Sequence, residues 1–372
     1  MKGQAFSKKC FLILIALIFL CGCWDQRLLK ETTLLMSAGF DFTEDGKLLG
    51  TVTSPQISKE NVADKALFYS EQGSTPNQVR NALDRKVGEV IDPSKLRVII
   101  LGSELAAQPI YPILDLYYRD PRSSISSKLV VVEGTAKDAM RVPILHTLKP
   151  SEYILDLLLS AEESTTVPNL NLQTICPIMF DPGQDFMVPY LSTVNDELNV
   201  QGVAMFSNQE FTGTLDTSES TLFLLMDDKK GRDGSLTLKI SDHEKQEIKN
   251  YITFSIEHTK VNRKTQVSKE NQVKVDISLV IKAEVSDYPH DQLTTREEVL
   301  KLNDKLSVLL TEEAHTVMKK MQDANCDGFG IGRELIALYP ETWKSLDWEK
   351  DYSNIEFNPT VTVEVIQHGI IN

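Results

Sequence analysis

Period-two alternation dominates the C-terminal third of the chain. Val273, Val275, Ile277, Leu279, Ile281, Ala283 and Val285 occupy every second position, with Asp276, Ser278, Lys282 and Glu284 between them. Ile252, Phe254 and Ile256 alternate with Thr253, Ser255 and Glu257 in the same way. Strands of this kind put one face on a core and one in water. Residues 294–323 change period and predict a long helix, with Val299, Leu302, Leu306, Leu309, Val317 and Met321 as its apolar stripe. Thr294 with Glu297, or Thr295 with Glu298, supplies a capping box. A last alternating strand, TVTVEVI, spans 360–366. Residues 236–372 therefore read as an α+β domain, an antiparallel sheet crossed on one face by a long helix.

The first half is patterned differently. LLMSAGFDF and KLLGTVTS flank Glu44-Asp45-Gly46 and predict a hairpin over 34–55. Residues 57–73 show no period and read as a loop. Ser74 or Thr75 can cap a helix that has Pro76 in its first turn and Val79, Leu83, Val87 and Val90 on one face. KLRVIILG (95–102) and KLVVVEG (128–134) are short buried strands. Helical stretches follow both, the first interrupted by Pro109 and Pro112. This alternation predicts a mixed sheet with helices packed on it. Residues 162–190 carry four prolines and little pattern, and read as a linker or surface excursion. A second hairpin over 199–216 turns near Ser207-Asn208, and the charged run DDKKGRDGS (227–235) marks a boundary. The expected organisation is multi-domain: an N-terminal α/β domain at 23–192, a small β-rich middle domain at 193–235, and the α+β domain at 236–372. A chain of 372 residues exceeds one comfortable core.

The extreme N-terminus has its own logic. Phe11 to Leu20 are ten unbroken apolar residues behind Lys2, Lys8 and Lys9. As a helix they would reach about 15 Å, half of a bilayer's hydrocarbon core, which suits a signal peptide and not a membrane span. Leu20-Cys21-Gly22-Cys23 then has the form of a bacterial lipobox. In that motif cleavage falls before the second cysteine, whose thiol becomes S-diacylglycerol-linked and whose new amino terminus is acylated, for example by palmitate. Residues 1–22 are thus expected to leave as a lipoprotein signal, with Cys23 as the lipidation site. Two or more acyl chains hold a protein on a membrane stably, at about 0.8 kcal/mol per buried CH₂. A cleaved signal followed by a chance cysteine is the plainer alternative.

Charge narrows the partners. The chain carries a net −14, and losing three lysines and no acid with residues 1–22 leaves −17. No nucleic-acid partner is expected, because phosphate backbones reward basic surfaces. After cleavage and lipidation only Cys176 and Cys326 remain as thiols. A disulfide between them is permitted by an extracytoplasmic compartment and not required.

Searches for chemistry return little. DANCDGFGIGRE (323–334) matches a calcium-loop pattern through Asp323, Asn325, Asp327, Gly328 and Glu334. Gly330 stands where such loops carry a branched apolar residue, however, and Pro340 cuts the exiting helix short. A glycine-rich stop to the long helix explains the segment without a metal. Histidines 146, 243, 258, 290, 315 and 368 are scattered, and no cysteine pair has zinc spacing. Glu312, Glu313 and His315 read as a solvated helix face. Gly102-Ser103-Glu104 is a strand end and helix start, not a nucleophile elbow. Trp343 and Trp348 suit core or partner packing. No catalytic residue, cofactor or metal site is expected, and the chain is not expected to be an enzyme.

The residues do carry a resemblance. CGCWDQRLLKE resembles the opening of the Ger(x)C lipoproteins, the C subunits of spore nutrient-germinant receptors. VIILGSELAAQ, YYRDPR and LVVVEGTAKDAM resemble the family's N-terminal region, and VQGVAMFSNQEFTGTLD its middle segment. DGFGIGRELIALYPETWKSLDW, closing on VTVEVIQHG, resembles its C-terminal signature, although relatives usually have an apolar residue where Gly328 stands. The resemblance implies three α/β domains and a lipid-anchored subunit on the outer face of the spore inner membrane. It also implies germinant receptor A and B subunits as partners. The rival reading, a lipid-anchored solute-binding protein serving a transporter, would call for two similar lobes, and no duplicated halves are visible.

Overall fold

The computed structural model describes residues 32–55, 66–142, 150–242, 244–289, 293 and 295–367. Cys23, the lipobox, and histidines 146, 243, 290 and 368 lie outside them. The first half forms strands β1 (Thr32–Leu34), β2 (Ser37–Phe42), β3 (Leu48–Pro55) and β4 (Ala66–Gly73), helix α1 (Pro76–Val87), then β5 (Val90–Asp92) and β6 (Val98–Gly102). Helices α2 (Ser103–Ala106) and α3 (Tyr111–Arg119) lead to β7 (Lys128–Val132). Helices α4 (Ala136–Ala139), α5 (Pro150–Glu163) and α6 (Leu172–Met179) lead to β8 (Met187–Val194), β9 (Glu197–Ser207) and β10 (Glu210–Asp216). The order β10-β9-β8-β7-β6-β2-β3-β4 makes one eight-stranded mixed sheet, in which β2, β6, β7 and β8 run parallel.

Both faces of this sheet are covered. Ile99, Leu101, Leu129 and Val131 join residues of α1, α2, α3 and α6 in one core, while Val98, Ile100, Val130 and Val132 join α4 and α5 in another. Burial on both sides explains the unbroken apolar runs VIIL and LVVV. It also explains why residues 66–73, expected as loop, form edge strand β4 instead. Phe68 packs on one core and Tyr69 on the other, so no polar positions alternate with them. The hairpin over 34–55 and the Pro76 helix are as expected, with Thr75 accepting from the Gln78 amide as N-cap.

Helix α7 (Thr217–Met226), β11 (Ser235–Lys239), β12 (Tyr251–Val267), β13 (Val273–Asp287) and α8 (Arg296–Asp323) build the C-terminal unit. It closes with α9 (Ile331–Leu338), α10 (Pro340–Ser345), α11 (Trp348–Asp351) and β14 (Glu356–Gln367). Its sheet has the order β11-β12-β13-β14, with β14 parallel to β13, so it is mixed where an antiparallel sheet was expected. The helix-on-sheet arrangement is otherwise the one read from the alternation. The capping box at its start is Thr295 with Glu298. Its buried stripe runs Leu302, Leu306, Leu310, Ala314, Val317, Met318 and Met321, leaving Val299 and Leu309 half-buried.

The expected middle segment has no sheet of its own. The 192/193 division falls inside β8, β9 and β10 extend the first sheet, and α7 belongs to the C-terminal core. Helix α7 is buried from Glu219 to Met226, so it lacks the polar face that would mark it in sequence. Residues 162–190 are no linker either: they contain α6, which packs on the first sheet, and the start of β8, and Val167 and the Asp181–Asp185 turn meet the C-terminal unit.

β14 is an edge strand whose amides would be unpaired, and α8 supplies their acceptors. The Val361, Val363 and Val365 N–H groups donate to Thr311 Oγ1, Ser307 Oγ and Asn303 Oδ1 at 3.0, 2.9 and 3.0 Å. Four helical residues rise about 6 Å and two strand residues about 6.7 Å, so an i, i+4 row can follow every second amide. Three polar residues inside the helix thus close a sheet edge that would otherwise invite pairing. Ser307→Ala should lower the unfolding free energy by about 1–2 kcal/mol in denaturant titrations. Leu300→Ala, at an exposed position of the same helix, should change it by less than about 0.5 kcal/mol.

Candidate functional site at the junction of the two cores

The segment from Cys326 to Arg333 lies where the C-terminal unit meets the first sheet. After α8 the chain turns through Asn325, at φ 48°, and reaches Asp327, which is almost wholly buried. The Asp327 carboxylate accepts from the Ile331 and Gly332 amides at 2.9 and 2.8 Å and so caps α9. Its own N–H donates to Asp185 Oδ2 at 2.8 Å, and the Asp185 N–H donates to the Asp327 carbonyl. Asp185 Oδ1 accepts from the Asn208 amide at 2.6 Å, which ties in the β9–β10 turn. The Arg333 N–H donates to the Gly183 carbonyl, and Arg333 Nη1 pairs with Asp181 at 3.1 Å.

Two glycines permit this approach. A Cβ on Gly183 would lie 2.6 Å from Arg333 N and from the Gly332 carbonyl carbon. One on Gly332 would lie 2.6 Å from the Gly183 Cα. Backbones therefore touch where a side chain would hold them apart. Tyr352 donates its hydroxyl to the Cys326 carbonyl at 2.9 Å, and Trp343, Trp348 and Tyr352 form a chain of ring contacts beneath. The two tryptophans pack on the C-terminal core. Beside them a cleft of about 440 Å³ opens between Asp181, Asp185, Asn208, Asn325, Trp348 and Glu349.

Burial sets the electrostatics. Desolvation raises Asp327 to about 7 against the two amides it accepts from, and raises Asp185 to about 6 against the Asp327 and Asn208 amides. The Cys326 thiol and Tyr352 phenol are pushed well up by the same cause. Cys326 and Cys176 are both free thiols, so the permitted disulfide is not formed.

A second junction lies at the loop after α7. Thr165, at φ 62°, accepts from the Gly231 amide through Oγ1 and donates to the Asp233 carbonyl, and the Asp233 N–H donates to the Glu163 carbonyl. The charged run at 227–235, expected as a boundary, is hence pinned to the end of α5.

The calcium-loop residues go separate ways. Asp323 is exposed and paired with Lys319, Asp327 caps α9, and Glu334 accepts from Arg263 and Thr265. Among the described residues no three His, Cys, Asp or Glu side chains gather as a metal site. At the carboxyl ends of β6 and β7, where α2 and α4 leave on opposite faces, a nucleotide-type crevice would be expected in an open α/β sheet. Asp41 fills that place here, accepting from the Ala136 and Lys137 amides at 2.6 and 2.9 Å, while Ser103 Oγ accepts from the Gly134 amide. Burial raises the Asp41 carboxyl from its ordinary range.

Comparison with known proteins accounts for nearly the whole chain. The model of the spore germination protein N-terminal domain matches residues 25–193, and that of the "Spore germination B3/ GerAC like, C-terminal" family matches 201–369. The chain belongs to the Ger(x)C family. It is 23% identical to spore germination protein GerQC of Bacillus cereus, over 98% of this chain and 99% of that protein. It is 24% identical to spore germination protein A3 of Bacillus subtilis, over 95% and 96%. The crystal structure of the GerBC protein shares the fold at a TM-score of 0.55, with 16% identity over 88% of this chain and 96% of that one. The stretch DGFGIGRE, which opens the segment whose resemblance to the family was noted in the sequence, is the junction segment itself.

The sequence reading met Asp327 only in a calcium-loop pattern and Gly332 in a glycine-rich helix stop, and missed Asp181, Gly183 and Asp185. The signal for them was the motif DPGQD, an acid-glycine turn inside an apparent linker. Gly183→Ala should cost about 2 kcal/mol or more, seen as a lower denaturant midpoint. The buried acids give stability a pH dependence. Their folded values lie above the unfolded Asp value of about 3.9, so the folded chain holds more protons between the two. Their contribution is complete below about pH 4 and is lost as pH rises through about 6 and 7. Unfolding midpoints measured from pH 4 to 8 should fall less steeply in Asp185→Asn than in the parent.

Proposed function

We propose that this protein is the lipid-anchored C subunit of a nutrient germinant receptor, acting with membrane A and B subunits to trigger spore germination. The observation that carries this reading is the lipobox at Cys23, set in register before a body that belongs to the Ger(x)C family along its length. The mature chain begins at Cys23, carries diacylglycerol and palmitate there, and sits on the outer face of the spore inner membrane. Lipidation confines the folded part beside its integral partners, which raises its effective concentration there. The role is assembly or signal relay through protein contact, without a cofactor.

Two features support a non-enzymatic role. Asp41 occupies the crevice where an α/β sheet would seat a ligand's anionic group, and the buried, raised acids Asp185 and Asp327 hold the junction together. Among the described residues no helix is long and apolar enough to cross a membrane. The division at 23–192, 193–235 and 236–372 stands as a proposal about sequence segments, with the middle one divided between the first sheet and the C-terminal core. A solute-binding protein is less favoured, since an eight-stranded sheet covered on both faces and a four-stranded sheet under one long helix are not similar lobes.

The test is Cys23→Ala in a spore-forming host that lacks other receptors for the same nutrient. Membrane-associated protein should fall at least about tenfold, with germination on that nutrient impaired in parallel. A variant that stays on the membrane and germinates normally would refute the anchor.

A further inference from the structure

The chain enters the described fold at one end of the first sheet. β1 runs parallel to β5, with Thr32 opposite Val90, and the Thr33 hydroxyl donates to Glu89 at 2.7 Å. This is the amino end of the parallel strands β2, β6 and β7. Two loops are joined there: Ser127 Oγ donates to the Leu96 carbonyl, and the Lys128 N–H donates to the Arg97 carbonyl. These loops and β5 carry two exposed apolar side chains, Val90 at 42% and Ile125 at 45%. Ser94, Lys95 and Ser126 beside them are exposed, as is Glu89, which accepts from Thr33, while Asp92 is engaged by the Ser94 amide.

The opposite end has another character. Glu44, Asp45, Glu133, Asp196 and Glu197 are all exposed on the turns after β2, β7 and β8, where Val194 stands next to the last two. Eight residues, 24–31, separate Cys23 from Thr32. At about 3.6 Å per residue they reach at most about 32 Å, so β1 has to lie within that distance of an anchored Cys23.

We propose that the end of the first sheet bearing β1, Val90 and Ile125 faces the bilayer surface. This orientation rests on the lipid-anchored reading above. Three effects favour it together. The tether is shortest to this end. Its two apolar side chains gain by entering the interfacial region. Anionic headgroups repel the five exposed acids of the far end more than this end, where Lys95 offsets Glu89.

The test uses the full lipidated chain in a Cys176→Ser background, with a polarity-sensitive fluorophore on Val90→Cys, Ile125→Cys or Glu44→Cys. The protein is placed on vesicles of phosphatidylethanolamine and phosphatidylglycerol that carry a nitroxide on a fraction of the headgroups. Labels at 90 and 125 should be quenched several-fold more than the label at 44. Ile125→Glu should reduce quenching at 90 while the thermal transition stays within a few degrees of the parent. Intact mass separates the two layers of the argument. A lipidated protein quenched equally at both ends, or more at 44, overturns the orientation alone. An unlipidated mass overturns the anchor and the orientation with it. Protection of labels 90 and 125 only when the integral subunits are added would assign this end to a protein partner, and would also overturn the proposal.

Discussion

Strand β9 is a wall between two cores, and the architecture depends on that sharing. Ala204 and Phe206 point into the core of the first sheet, while Val203 and Met205 point into the core of the C-terminal unit. On β8, Val188 and Met187 divide in the same way. A strand buried on both faces cannot be exposed on either without uncovering an apolar row, at about 25 cal/mol per Å² of surface. The C-terminal unit thus covers β8 to β10 on the same face that α4 and α5 cover over β6 and β7. Separating the two halves would leave apolar side chains of β8 and β9 uncovered.

The polar junctions sit at the margins of that apolar contact and fix its geometry. Asp185 and Asp327 each accept two amides, the Gly183 and Gly332 backbones touch, and Thr165 secures the loop after α7. Burying such acids is unfavourable unless donors surround them, so the arrangement tolerates little displacement. The proposed role of relaying a signal through contact draws on this stiffness, because a force or shift at one unit would reach the other instead of being absorbed at a hinge. A calcium-loop pattern arises among the residues that bind the halves together because caps, tight turns and metal loops draw on the same residue types.

Legibility followed exposure. Where one face of an element meets water, as along β12, β13 and α8, polar positions report the period and the reading was sound. Where both faces are covered, as in α7 and β4, the period vanished and the elements were passed over or taken for loop. The pattern-poor stretch at 162–190 was misread for a related reason: Asp181 and Asp185 serve contacts with Arg333 and Asp327, more than a hundred positions away. Asn303, Ser307 and Thr311 are visible in sequence as polar residues at helical spacing, yet nothing local says that a strand edge waits for them.

The sequence by itself determined the family, the alternating C-terminal strands, the long capped helix and the hairpin at 34–55, because each is written in neighbouring residues or in short-period spacing. Only the tertiary structure decided that β9 and β10 complete the first sheet, that β14 runs parallel to β13, and that Asp185 meets Asp327. Those outcomes rest on pairings across long separations, where the free energy depends on which surfaces come together and no local pattern records the partner.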